Sequence, residues 1–236
     1  MKKYISILAL AMLSTVAFTS CDKDTEGFTS ITYYPVLTME GPVYDMATAG
    51  QPYSDPGCTA ILNGEDVTDE IAVVTSMNLQ SPEPGYYPIN YKVVNADGFS
   101  ASATRYVLVS DANDKASGYY TVNNDSYRDY NGTIYYGGYM LRVVGDGNGN
   151  YEISDLLGGW YDYRAGYGSA YALVGNVTID ADGGIELVDS FLEGWGDSAN
   201  SLSDGKFDAS TGKISWSVSY TDYPFIFVVN ATNNNF

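Results

Sequence analysis

The sequence predicts an all-β protein of two domains, a β-sandwich followed by a second antiparallel β-sandwich or small barrel. Three observations carry this expectation. Short runs rich in Val, Ile, Thr and Tyr recur about every ten residues from position 31 onward, separated by Gly, Pro, Asn and Asp. No stretch beyond the first twenty residues carries the apolar stripe with a period near 3.6 that a packed helix shows. The composition is globular, 45% hydrophobic, yet 23 Tyr and 25 Gly stand among the 236 residues. Tyr suits half-buried pleated surfaces and Gly suits tight turns.

The N-terminus is an exception with its own logic. Lys2 and Lys3 precede an apolar run over 5–18, which falls short of the roughly 20 residues a spanning helix needs. Residues 1–20 are therefore read as a signal peptide. The run closes on Phe18-Thr19-Ser20-Cys21, which resembles the lipobox of bacterial lipoproteins. The resemblance implies that Cys21 is lipidated, by palmitate or a similar chain, and becomes the first residue of the mature protein. Asp22-Lys23-Asp24-Thr25-Glu26 resembles the acidic export signal of Bacteroidetes surface lipoproteins, implying a place in the outer membrane facing the exterior. The alternative is an ordinary solvated tether. Residues 21–30 are read as the lipidated tether.

Charge and composition exclude several classes. Eleven Lys and Arg face 29 Asp and Glu, for a formal charge of −18, and loss of Lys2 and Lys3 with the signal makes it −20. A field of that sign repels nucleic acid. No His is present, which removes Ser-His-Asp and Cys-His nucleophile systems and His-ligated zinc. With Cys21 acylated, Cys58 is the one remaining thiol, and its strand-like setting reads as a small apolar core residue rather than a nucleophile.

Residues 31–109 read as short alternating strands. The run 31–37 is a strand, with Pro35 marking a sheet edge. Turns follow at Gly41-Pro42 and Gly50-Gln51-Pro52, then a strand over Cys58–Leu62 leads into the hairpin signal Asn63-Gly64. Strands over 71–74, 87–94 and 102–109 complete the pattern of a sandwich. An ordered set of residues makes this specific: Tyr53, Asp55-Pro56-Gly57, Gly64, Thr68, Pro84-Gly85, Tyr87, Tyr91, Asp97-Gly98 and Arg105. Together they resemble the bacterial immunoglobulin-like domain also known from the pesticidal crystal protein family. That resemblance implies an Ig-like β-sandwich serving as a spacer or adhesion module, with no catalytic residues. Tyr87 and Tyr91, four apart on a strand, project to one face and read as core or corner residues.

The polar stretch 110–117 reads as a linker, and 118–236 as a Tyr/Gly-rich antiparallel domain holding all three Trp. Its expected strands are 119–123, 133–144, 151–154, 170–179, 185–192, 213–220 and 224–230. Its outline resembles lipocalin-like folds, and also the C-terminal domains of uncharacterised Bacteroidetes lipoproteins that follow the same Ig-like module. The residues carrying the second resemblance include Gly118-Tyr119, Gly158-Gly159, Gly205, Gly212 and Trp216. No settled activity comes with it.

The stretch from Gly158 to Tyr171 sets Trp160, Tyr161, Tyr163, Tyr167 and Tyr171 on a Gly- and Ser-rich backbone. Exposed, such rings would stack on the C–H face of a sugar, with Asp162 and Arg164 as polar partners. The competing reading is a small core filled with aromatics. Trp195, in the loop Gly194-Trp195-Gly196, forms a second candidate. Asp146-x-Asn148-x-Asn150 imitates the start of a calcium loop but lacks its Gly and distal Glu, so a hairpin turn is preferred. Asp197-Ser198-Ala199 resembles the O-glycosylation site of Bacteroidetes exported proteins, making Ser198 a candidate for modification. No catalytic pair, metal cluster or cofactor motif stands out. The expectation is a non-enzymatic outer-membrane lipoprotein that binds neutral polysaccharide beside other uptake proteins. The rival is a structural spacer or partner subunit without a ligand.

Overall fold

The structure, a computed structural model, describes residues 31–220 and 224–235; the signal, Cys21 and the tether lie outside the described residues. Among the described residues no helix is long and apolar enough to cross a membrane.

The first module holds β1 (Val36–Met39), β2 (Tyr44–Thr48), β3 (Cys58–Leu62), β4 (Glu65–Asp66), β5 (Ala72–Thr75), β6 (Gly85–Val94) and β7 (Ser100–Ser110). They form a three-stranded sheet, β1-β3-β4, and a four-stranded sheet, β2-β7-β6-β5, in which β2 runs parallel to β7. β3 turns into β4 at Asn63-Gly64, both at positive φ (52° and 82°), as a two-residue hairpin requires. Ile89, Tyr91, Val107 and Val109 fill the space between the sheets, with Tyr87 and Cys58 packed against them. Burial pushes the Cys58 thiol above its ordinary pKa, which suits a packing residue. The expected first strand starts later than its apolar run: Ile31 is exposed, and Tyr34 packs edge-on against Phe99.

Asp55, Tyr91 and Arg105, far apart in the chain, converge. The Tyr91 hydroxyl donates to both Asp55 oxygens at 2.6 and 2.7 Å, and Arg105 Nε donates to Asp55 at 3.0 Å. The other Arg105 nitrogens donate to the carbonyls of Glu40, Pro42 and Gly57.

The second module holds β8 (Gly118–Val122), β9 (Ser126–Asp129), β10 (Thr133–Tyr136), β11 (Met140–Gly145), β12 (Asn150–Ile153), β13 (Val174–Ile179), β14 (Ile185–Phe191), β15 (Ala199–Asp208), β16 (Lys213–Tyr220) and β17 (Phe225–Asn233). These ten strands make one antiparallel sheet. β17 pairs with β8 and β9 along one side and β16 along the other. β15, beyond β16, comes back against β14: Gly184, just before β14, bridges to Lys206, and the Ala199 amide donates to the Ser190 hydroxyl at 2.8 Å, so the sheet curls toward a barrel. Trp216, Tyr120, Phe227, Leu156 and Leu157 are buried inside it. The buried polar tips are paired: Trp216 Nε1 donates to the Leu156 carbonyl at 2.8 Å and the Tyr136 hydroxyl to that of Leu157 at 2.8 Å.

Several elements differ from expectation. The run 133–144 breaks at Gly137-Gly138 into β10 and β11, since paired glycines weaken a strand. The strand over 170–179 is confined to Val174–Ile179. β2, β9 and β15 were not expected, because a strand such as Ala199–Asp208 is mostly exposed and lacks apolar alternation.

Of the expected linker 110–117, Ser110 ends β7 and the remainder is a bonded turn. Asp114 accepts from the amides of Ala116 (2.9 Å) and Ser117 (3.1 Å) and from the Ser117 hydroxyl (2.6 Å), while Ser117 Oγ accepts from the Gly145 amide. The modules also touch. Leu108, on the outer face of the four-stranded sheet, is fully buried, and the Tyr119 hydroxyl donates to the Tyr106 carbonyl at 3.1 Å.

Candidate functional site

After β12 the chain leaves the sheet, and Asp155 ties the resulting loop at both ends. Its carboxylate accepts from the amides of Leu157 (2.9 Å), Gly159 (2.8 Å) and Leu173 (3.0 Å). The side chain is wholly buried, and desolvation pushes its pKa up to about 6, against the three amides that favour the ionised form. Gly158 and Gly159 both lie at positive φ, and a Cβ on Gly159 would meet the Tyr139 side chain at 2.9 Å. This tight turn aims the next segment inward. Trp160–Arg164 then forms a single π-helical turn, a geometry often found at functional sites.

The turn distributes the expected sugar platform to three places. Trp160 is 4% exposed and enters the core, edge-on to Tyr136 (5.1 Å) and Phe227 (5.9 Å). Its binding role is thereby corrected to a packing one, because no face of it is left for a ligand. Arg164, expected beside a sugar, lies instead with its guanidinium 4.2 Å from the Trp160 ring, and that of Arg128 is 4.6 Å away.

Tyr161, Tyr167 and Trp195 do come together, and Tyr171 joins them. Tyr161 and Tyr167 stack nearly parallel, 6.1 Å apart at 7°, and Trp195 stands edge-on to Tyr161 at 4.8 Å and to Tyr171 at 5.0 Å. The two loops are joined by the Gly194 amide donating to the Ala170 carbonyl at 2.7 Å. Gly194 is required here, since a Cβ would strike the Tyr171 ring at 2.6 Å. Tyr167 is 54% and Trp195 46% exposed, and with Tyr171 they line an open hollow of 360 Å³. Ser198, the candidate modification site, is exposed three residues beyond Trp195.

Asp162 and Tyr163 face elsewhere, into a cleft of 360 Å³ between the two modules. Tyr163 stacks on Tyr139 at 5.5 Å and 10°. Across the cleft, Tyr106 stacks between Tyr86 (5.6 Å, 3°) and Tyr44 (5.7 Å, 17°), and the Arg142 guanidinium lies 4.6 Å over Tyr86. Burial pushes the Asp162 carboxyl above its ordinary pKa. Sequence reasoning missed this cleft because its lining comes from both modules. The available signal was a column of Tyr on the outer faces of β2, β6 and β7.

A further hollow, of 630 Å³, lies near Lys115, Asp180, Lys206 and Asp208. Its carboxylates are committed to turns, Asp180 accepting from the amides of Asp182 and Gly184, and Asp208 from Ser210 and Thr211. Asp146 likewise accepts from the Asn148 and Asn150 amides, as the hairpin reading requires.

Comparison with known proteins follows this architecture. A family profile for a bacterial surface protein Ig-like domain matches residues 37–109, and one for a C-terminal domain matches 109–233. Among solved structures, the crystal structure of the lipoprotein BT2262 from Bacteroides thetaiotaomicron is similar at 35% identity and a TM-score of 0.76, covering 85% of this chain and 100% of that one. No curated protein matches.

Proposed function

The chain belongs to the same family as the Bacteroides thetaiotaomicron lipoprotein BT2262, and from that premise we propose a surface lipoprotein that binds neutral polysaccharide. It is anchored through Cys21 in the outer membrane, faces the exterior, and serves other uptake proteins as an accessory without catalysis of its own. The Ig-like module sets the second module off from the anchor.

One observation supports binding above the others: the exposed corner of Tyr167, Tyr171 and Trp195. Large rings left half in water, on loops braced by backbone hydrogen bonds, offer apolar faces edged by hydroxyls at little ordering cost. The strongly negative chain disfavours polyanions, so the ligand class is neutral.

The test is affinity electrophoresis of the mature protein in gels carrying neutral or acidic polysaccharides. Retardation by a neutral glycan, lost in Trp195→Ala and Tyr167→Ala, supports the reading. Equal migration of wild type and both variants on every glycan overturns it and leaves the spacer role.

A further inference from the structure

The cleft between the modules is unused by the platform, and its chemistry is not that of a packing defect. Tyr163 is exposed over half its surface and Tyr44 over 45% of its own, so two flat faces open to solvent at the mouth. Tyr106 and Tyr119 form the wall, held by ring contacts and by the Tyr119 hydroxyl bond to the Tyr106 carbonyl. Arg142 brings a cation, one of its terminal nitrogens paired with Glu152 at 3.0 Å. Asp162 brings an anion. Among the described residues its carboxylate accepts no hydrogen bond, although the residue is only partly exposed. Its oxygens still reach water, so they are open to the hydroxyls of a ligand.

We infer that this cleft is a second saccharide site, holding one or two rings of a neutral sugar between Tyr44 and Tyr163, with Asp162 and Arg142 on its hydroxyls. A volume of 360 Å³ is at the small end of ligand cavities. The charges decide among ligand classes. An acidic sugar would meet Asp162, and an ammonium ligand in the tyrosine lining would meet Arg142. A polyol carries donors for the carboxylate and acceptors for the guanidinium, and its C–H faces suit the rings. The π-helical turn links the two sites: Tyr161 serves the platform, and Asp162 and Tyr163 the cleft.

The experiment uses the mature chain and a panel of neutral trisaccharides (maltotriose, cellotriose, mannotriose and xylotriose), followed by amide chemical shifts in two-dimensional NMR. Ser154, Ser169 and Ala172 report on the cleft, and Gly194 and Gly196 on the platform. In a Trp195→Ala background, at least one trisaccharide should shift the cleft amides saturably. Asp162→Asn should weaken that binding about tenfold, and Tyr163→Ala should abolish it, both with an otherwise unchanged spectrum. Silent cleft amides with every trisaccharide overturn the inference, as do cleft shifts produced only by a glucuronide or by choline. Shifts at Gly194 and Gly196 in wild type judge the platform separately, so either site can fail alone.

Discussion

Arg105 and Asp55, fifty residues apart, form a buried ion pair at 3.0 Å, with the Arg105 side chain wholly out of water. Around it the backbone carbonyls of Glu40, Pro42 and Gly57 take the remaining guanidinium donors, and Tyr91 completes the carboxylate. Removing one member of such a set strands the other in a dry interior. Arg105→Ala should therefore cost about 3–5 kcal/mol of stability. Arg105→Lys should not rescue it, because one ammonium cannot reach acceptors arranged for a planar fork. Urea denaturation of the three proteins gives the ranking.

Trp160 and Trp195 should respond oppositely to truncation. Trp160→Ala empties a core position and should cost about 3–5 kcal/mol. Trp195→Ala removes a half-exposed ring and should lower the melting temperature by only a few degrees, about 1 kcal/mol or less. Thermal unfolding of both variants measures this difference, and equal losses would mean that the Trp195 loop is part of the core.

Asp155 makes a pH-dependent contribution whose sign follows from its raised pKa of about 6. A carboxyl that binds its proton more tightly when folded stabilises the fold most below pH about 4, its ordinary value, and this contribution is lost as pH rises through 6. The stability of wild type relative to Asp155→Asn should accordingly fall between pH 4 and 7, by up to about 3 kcal/mol for a shift of two units. Parallel denaturation curves across that range would show that the three amides hold the pKa near its ordinary value.

Asp114 should control protease access between the modules. Asp114→Ala deletes acceptors for Ala116, Ser117 and the Tyr151 hydroxyl, at a cost of about 1–3 kcal/mol. Local opening of the turn should rise with it. Limited proteolysis should cut the variant within 111–117 before the wild type, and cleavage at equal rates would count against the restraint.

The anchor proposed at Cys21 has a direct test. Each buried CH₂ of an acyl chain contributes about 0.8 kcal/mol, and two or more chains anchor stably. Cys21→Ala should move the protein from the membrane pellet to the soluble fraction. Retention of the variant after carbonate washing would exclude lipid as the anchor.

Local chemistry made much of this protein legible in its sequence. Asn63-Gly64 is a turn because both residues tolerate positive φ, and Asp146 to Asn150 and Asp208 to Gly212 are turns because the aspartate accepts from its own nearby backbone amides. The Ig-like residues could be read as a set, and Tyr87 and Tyr91 could be placed on one face by the two-residue period of a strand. That period has no force between Gly158 and Tyr171, where the backbone is neither strand nor α-helix. Which of the five rings there turned inward was decided by Asp155 drawing Leu157, Gly159 and Leu173 together and by the left-handed Gly158-Gly159 turn. Trp160 was thus sent to Tyr136 and Phe227, and Tyr167 to Trp195. The cleft is further still from sequence: Tyr44, Tyr106, Arg142 and Tyr163 share no local pattern, and only the docking of one module on the other brings them within reach of one ligand.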